Sequence, residues 1–120
     1  YKAVPRCTFT SPEVAAVGAT EAELKTAKVN YKAAMVPISV IGRANTADFS
    51  DGFVKVLAEK KTGVLLGGTV VCPHAGEVIH ELALAVQHSL TAQQVADTIH
   101  AFPTWSEALR VACAKLTKRT

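Results

Sequence analysis

The 120-residue sequence is most informative at first for what it lacks. No apolar run approaches the ~18 residues that a membrane-spanning helix needs, so we expect no membrane partner. No Gly-x-Gly-x-x-Gly fingerprint follows a predicted strand, which argues against a complete dinucleotide-binding site in this chain. Cys7, Cys72 and Cys113 show no Cys-x-x-Cys spacing, which disfavours a disulfide framework or a zinc site. We interpret them as buried free thiols and expect a reducing compartment, the cytoplasm.

The sequence also lacks a strong excess of charge of either sign. The 13 basic residues only slightly exceed the 10 acidic ones, which gives a net charge of +3. Basic residues are dense only in the terminal run KLTKRT, and such tails are usually solvated, so we expect no nucleic-acid partner. Hydrophobic residues make up 49% and charged residues 19%, a composition typical of one globular domain.

The first half of the chain reads mainly as strands. PRCTFTSPEVAAVG predicts two short strands or one bent strand, and VNYKAAMVPI predicts a strand that Pro37 ends or interrupts. Between them, Thr20 and Glu23 have capping-box spacing for a two-turn helix. GRANTADFSDG is rich in turn residues and predicts a loop. FVKVLAEKKTGVLLGGTVVC predicts an antiparallel hairpin, with Gly67 and Gly68 marking a bulge or a close backbone approach.

The second half reads as helices. From about Ala75 to Leu90, apolar residues recur every three or four positions, which predicts an amphipathic helix of about four turns. Thr91 with Gln94, and Thr104 with Glu107, have the spacing of two further helix starts. Strands followed by helices indicate the α+β class.

Several residues suggest chemistry but have ordinary structural explanations. His80 and Glu81 resemble the start of a His-Glu-x-x-His zinc motif, yet position 84 is Leu, so we predict no metal site. His80 and His88 fit helix-surface or interface positions. His74 and Gly76 open a predicted helix, where an anion can bind free N–H groups, although a plain helix entry is the simpler interpretation.

The stretch IHAFPTWSEAL, residues 99–109, concentrates functional residue types between two predicted helices. Glu107 has a structural explanation, because it could bond back to the Thr104 backbone in a capping box. Phe102 and Trp105 offer apolar area that we expect to face a partner.

In order along the chain, TFTSPEVAAVGATEAE, GRA, DGFVKVLAEKKTGVLLGGTVV, AGEVIHELALAVQHSLTAQQVADTIHA and PTWSEAL resemble one family. It is the C-terminal interface domain of the flavin-dependent pyridine nucleotide–disulfide oxidoreductases, with the lipoamide dehydrogenase and mercuric reductase branches nearest. The resemblance spans about residues 4 to 112. It implies a five-stranded antiparallel sheet with flanking helices, and it implies that residues 1–120 form the dimerisation domain of a longer enzyme.

The resemblance also implies partners and cofactors. The domain would pair with its own copy in a homodimer active in redox homeostasis, while FAD and NAD(P) would be bound by upstream domains of the same chain. The fragment alone would bind neither cofactor and would be catalytically inert. None of the three cysteines matches the redox-active pair of the family.

The family's motif near the C-terminus is His-x-His-Pro-Thr-x-x-Glu, whose second His is the acid–base group. Carried over, His100 matches the first His and Glu107 matches the Glu that orients the base, so both are candidate catalytic residues. Phe102 occupies the base position. Phe102 and Pro103 are the candidate contacts to the partner subunit's flavin.

Phe102 has a chemical consequence, because a thiol must lose its proton before it attacks a disulfide. A positioned base contributes typically ~10²–10⁴-fold, and phenylalanine cannot supply it. Alternative electron acceptors for the parent enzyme are therefore those that need no thiol base: a second nicotinamide in a transhydrogenase, a quinone, or mercuric ion. Two other functional classes remain as alternatives. One is a stand-alone interaction domain without redox activity, and the other is a small metal-dependent hydrolase based on His80 and Glu81.

Overall fold

A computed structural model describes residues 3–10, 13–40, 52–98, 100 and 104–117. The strands are β1 (Arg6–Thr8), β2 (Glu13–Gly18), β3 (Tyr31–Pro37), β4 (Phe53–Glu59) and β5 (Leu65–Cys72). The helices are α1 (Glu21–Thr26), α2 (Ala75–Gln87), α3 (Ala92–Asp97) and α4 (Ser106–Thr117), and a short 3₁₀ turn follows β3 at Ile38–Val40.

The five strands form one antiparallel sheet in the order β1-β2-β5-β4-β3. This confirms the α+β class and the five-stranded sheet. The opening segment forms two strands rather than one bent strand, and Pro37 ends β3 as predicted. Most of the predicted loop at 42–52 lies outside the described residues.

The predicted hairpin is formed by β4 and β5. Its turn is fixed locally, because the Glu59 carboxylate accepts hydrogen bonds from the backbone N–H groups of Lys61, at 2.6 Å, and Thr62, at 3.1 Å. These bonds stabilise the ionised carboxylate and lower the pKa of Glu59. The hairpin therefore rests on contacts within a few residues, which explains why the sequence alone predicts it.

Gly67 and Gly68 show both features that their position predicts. The β4–β5 register shifts between Leu57 and Ala58, which is a bulge. A Cβ on Gly67 would lie 2.4 Å from the carbonyl oxygen of Ala19. A Cβ on Gly68 would lie 2.5 Å from the Lys55 carbonyl oxygen and 2.7 Å from Leu82 Cδ2 on α2. Only glycine lets β5 lie this close to its neighbours.

The main core lies between one face of the sheet and three helices. α2 packs on β2 and β5, α4 packs on β3 and β4, and α3 packs against α4. The largest fully buried side chains of this core are aliphatic: Ile38, Leu65, Ile79, Leu82 and Leu109. α1 covers the opposite face, where Leu24 forms a smaller cluster with Ala19 and Leu57.

Two of the three predicted capping boxes are complete. Thr20 and Glu23 cap α1, and Thr91 and Gln94 cap α3, each through reciprocal side-chain and backbone hydrogen bonds. The third pair is placed differently, because α4 begins at Ser106, one residue later than the Thr104 spacing predicts. No helix in the described part of the chain has the length and apolar character needed to cross a membrane.

The cysteine interpretation holds for two of the three thiols. Cys72 and Cys113 are free and fully buried, whereas Cys7 is only partly buried. Burial, with a smaller effect of nearby carboxylates, raises the pKa of Cys72 and of Cys113 to about 12. Both buried thiols therefore stay protonated and unreactive at neutral pH.

The Gly68 contact predicts the effect of adding one methyl group. Gly68→Ala should lower the free energy of unfolding by about 1–3 kcal/mol, because the new Cβ would overlap backbone as well as Leu82. Urea unfolding measures the change. Thr69→Ala, at the neighbouring half-exposed position, is the control and should change stability by about 0.5 kcal/mol or less. Equal effects of the two substitutions would contradict the close approach.

The two buried thiols predict a loss of stability at alkaline pH. Their folded pKa values lie above the unfolded value of 9.0. The folded state therefore keeps protons that the unfolded chain releases, so this stabilisation is complete below pH 9 and is lost as pH rises toward 12. Unfolding between pH 8.5 and 10.5 should show a downward slope that is reduced in a Cys72→Ala/Cys113→Ala variant. The same slope in both proteins would rule out the thiols as its source.

Candidate functional site

The predicted site residues lie in the connection between α3 and α4 and in the first turn of α4. His100 and Glu107 are described, whereas Phe102 and Pro103 lie outside the described residues. The two described residues have different surroundings, and His80 on α2 and His88 just after it are exposed.

His100 is held by two hydrogen bonds within the chain. Its Nδ1 lies 2.8 Å from the Thr98 carbonyl oxygen, and its Nε2 lies 2.5 Å from Oε2 of Glu81 on α2. Only 7% of the His100 side chain is exposed, against 30% for Glu81. The Glu81–His100 hydrogen bond therefore joins α2 to His100, which lies between α3 and α4. The His100 side chain is almost entirely withdrawn from solvent.

The partners of His100 determine where its protons are needed. A backbone carbonyl can only accept, so Nδ1 must donate to Thr98. Nε2 faces the carboxyl group of Glu81 at hydrogen-bond distance. Both ring nitrogens are thus occupied, which leaves His100 without a free nitrogen for an external substrate.

The predicted catalytic role of His100 stays a prediction, and its geometry favours a different task. A general base must bring a nitrogen within hydrogen-bond distance of the proton that it takes. His100 would first have to break its bond to Glu81 or to Thr98. The ring is better placed to hold the chain than to exchange protons with a substrate.

Glu81 and His100 lie on the wall of an open groove of about 490 Å³ between α2, α3 and the start of α4. Its wall is mixed, with aliphatic side chains beside hydroxyl and amide groups. The other lining residues are Leu84, Ala85, Leu90, Gln94, Val95, Thr98, Thr104 and Ser106. A surface of this kind, apolar with a few fixed polar groups, suits protein contact better than free solvent.

Leu84 is the prominent apolar side chain at this groove. It is 58% exposed, although it belongs to a helix whose other large aliphatic residues are buried. On a helix, positions 81 and 84 lie 60° apart by the 100° rotation per residue, so Leu84 and Glu81 share the side turned away from the sheet. α2 therefore presents an exposed apolar side chain and the hydrogen-bond partner of His100 to the same region.

Glu107 is half-buried in the first turn of α4. Its backbone N–H donates to the Thr104 carbonyl at 3.3 Å, which closes a turn just before the helix. Acidic side chains are favourable at this end of a helix. Glu107 lies on the same α3–α4 side of the domain as the groove, whose wall includes Thr104 and Ser106.

The expectation that Trp105 faces a partner is wrong. Trp105 is 7% exposed and belongs to the main core of the domain. The packing of α4 on β3 and β4 directs this ring inward. The exposed apolar contact beside the connection is Leu84 instead.

At the start of α2, the backbone donor of Gly76 is already bonded within the chain. His74, at the N-cap, has a left-handed backbone conformation with φ of 60°. The Gly76 N–H donates to Oε1 of Glu13 at 3.0 Å, so a carboxylate of the chain already occupies the position that an anion would take. Within the described ranges, no three His, Cys, Asp or Glu residues are arranged to hold a metal ion.

The sequence alone did not reveal Glu81 as the partner of His100. The two residues are 19 positions apart, and their pairing depends on how α2 and the α3–α4 connection pack. One signal was available, because position 81 falls outside the buried stripe of α2 formed by Val78, Ile79, Leu82 and Val86. That periodicity places Glu81 away from the sheet but does not identify its partner.

Comparison with known proteins assigns the chain to a family. Residues 4–113 match the sequence profile of the pyridine nucleotide-disulphide oxidoreductase dimerisation domain. The chain belongs to this family. The interface-domain resemblance is thereby confirmed, as is the dimerisation function of the domain in pyridine nucleotide–disulfide oxidoreductases, a family that uses flavin and nicotinamide.

Its relatives in this family are several times longer. The chain is 42% identical over 112 residues to the mitochondrial dihydrolipoyl dehydrogenase of Pisum sativum, covering 93% of this chain and 22% of that protein. It is 45% identical over 113 residues to dihydrolipoyl dehydrogenase of Trypanosoma brucei brucei, covering 94% and 24%. The chain thus spans about a quarter of the length of these relatives or less.

A solved structure supports the same assignment. LpdA from Mycobacterium tuberculosis superposes with a TM-score of 0.91 and 34% sequence identity, over 98% of this chain and 26% of that one. The sheet and helices described above are therefore those of this dimerisation domain.

Proposed function

We propose that the full protein is a homodimeric oxidoreductase dependent on FAD and NAD(P), in which this domain pairs the subunits and supplies the partner-facing edge of the active site. The observation that carries the proposal is the exposed Leu84 beside the groove that contains His100, in a domain matched over residues 4–113 to a dimerisation family. His100, Thr104 and Ser106 line this groove, so subunit pairing would bring them to the other copy.

The cofactors of such an enzyme would be held by other parts of the protein. The described strands pair only in antiparallel fashion, and the described residues contain no βαβ unit with a glycine-rich phosphate turn. These residues do not fit an FAD or nicotinamide site on their own, in keeping with relatives about four times as long. The domain alone would be inactive, its partners would be its own copy and upstream cofactor domains, and its compartment would be the cytoplasm.

The dimer is tested by placing a charge at its proposed centre. Leu84→Arg in the full chain should weaken self-association at least tenfold, or by about 1.4 kcal/mol, because the charge would be buried without a partner. Sedimentation velocity over a range of concentrations measures the monomer fraction.

Met35 provides the matched control. It is also an exposed apolar side chain, at 53%, but lies on β3 beside Lys55 on the sheet face covered by α1. Met35→Arg should leave the dimer intact. A wild-type full chain that stays monomeric at high concentration would refute the proposed pairing, and a Leu84→Arg protein that dimerises like wild type would refute this surface.

The residue at position 102 favours a second candidate for the reaction itself. Relatives named dihydrolipoyl dehydrogenase suggest a dithiol substrate, but Phe102 at the base position of the motif cannot take a proton from a thiol. Slow dithiol exchange is therefore expected, together with faster reduction of an acceptor that needs no thiol base: a second nicotinamide, a quinone or mercuric ion.

Restoring an imidazole tests this interpretation. In the full enzyme, Phe102→His should raise the turnover of a dihydrolipoyl substrate toward the ~10²–10⁴-fold that a positioned base contributes. Phe102→Gln, which is polar but carries no suitable proton acceptor, is the control and should not raise it. Rapid dithiol turnover by the unmodified enzyme, or no gain in Phe102→His, would show that residue 102 does not limit the reaction.

A further inference from the structure

Glu81 and His100 form a hydrogen-bonded pair in which the His100 side chain is only 7% exposed. The aliphatic stripe of α2 packs on β2 and β5, and Glu81 lies outside that stripe. Burying a polar side chain costs free energy unless it is hydrogen-bonded. Here the Nε2–Oε2 distance is 2.5 Å, and the second ring nitrogen is bonded to the Thr98 carbonyl. The arrangement is built to hold one ring orientation.

The pair holds a particular part of the chain. His100 follows α3 by three residues and precedes Glu107 by seven, so it anchors the connection that leads into the first turn of α4. Glu81, by contrast, is on α2, one helical turn before Leu84. The hydrogen bond thus links the proposed subunit contact to the segment that carries the candidate site residue Glu107.

The same helix carries a second His–Glu pair that lacks these properties. His74 Nδ1 lies 3.5 Å from Glu77 Oε2, and the two side chains are 63% and 85% exposed. Exposed pairs at such distances contribute little to stability. The contrast between the two pairs shows that burial and bonding, rather than residue type, distinguish Glu81 and His100.

We propose that Glu81 and His100 are positioning residues: their hydrogen bond holds His100 and Thr98, which lie between α3 and α4, against α2, and so sets where Glu107 meets the other subunit. This inference rests on the proposed function for its catalytic consequence, but not for its structural one. His100 acts by being held, with both ring nitrogens engaged, and not by exchanging protons with a substrate.

The structural consequence is tested first, by amide hydrogen exchange on the full chain. Glu81→Ala should speed exchange of the amides of residues 104–108, because the side chain that holds His100 is gone. Glu81→Gln, which keeps an oxygen that can accept from Nε2, should have a smaller effect. Glu77→Ala is the matched control on the same helix and should leave these amides unchanged. Unchanged exchange in both Glu81 variants would overturn the proposal.

The catalytic consequence is measured in the holoenzyme as two half-reactions. Glu81→Ala should slow electron transfer to the acceptor by roughly tenfold to a hundredfold, because small misplacements of positioned groups cost rate steeply. Reduction of the flavin by NAD(P)H should remain as in wild type. Glu77→Ala should match wild type in both half-reactions.

A double variant tests whether Glu81 and His100 act together or independently. If the pair acts as a unit, Glu81→Gln/His100→Gln should be no slower than the worse single variant. Fully additive losses would overturn the pairing. Failure of this proposal can be told apart from failure of the proposed function. If Glu81→Ala speeds exchange at residues 104–108 but the oligomer has no flavin-linked activity, the positioning role is supported and the proposed function is refuted.

Discussion

The close approach of α2 to β5 at Gly68 is the constraint on which the rest of the arrangement depends. Leu82 lies where the Cβ of any other residue at position 68 would stand. This contact fixes the rotation of α2 about its own axis, since Val78, Ile79 and Val86 then also face the sheet. With that side committed to the core, the residues at positions 81 and 84 have to face away from it.

The functional surface follows from that rotation. Glu81 reaches the α3–α4 connection and bonds His100, while Leu84 remains exposed beside them. One helix thereby carries both an exposed apolar side chain and the hydrogen-bond partner of His100. The carboxyl group of Glu81 lies near Cys113. It adds to the rise in the pKa of Cys113 that burial causes. The packing of the core and the proposed subunit contact are therefore linked through α2.

How much of this could be predicted depends on whether the causes are local. The caps at Thr20 and Thr91 and the β4–β5 hairpin involve partners within a few residues, and their sequence patterns predicted them. The order of signals along the chain also identified the family. The inward-facing Trp105 and the Glu81–His100 bond depend on how α4 and α2 pack against other elements, and no local pattern specifies those contacts.

The central claim is that the side of α2 turned away from the sheet is the place where two subunits meet. A crystal structure of the full, cofactor-loaded protein tests it most directly. The account predicts two copies related by a two-fold axis, with Leu84 and the groove around His100 of each covered by the other copy. A structure in which that groove faces solvent, or is covered by another part of the same chain, would contradict it.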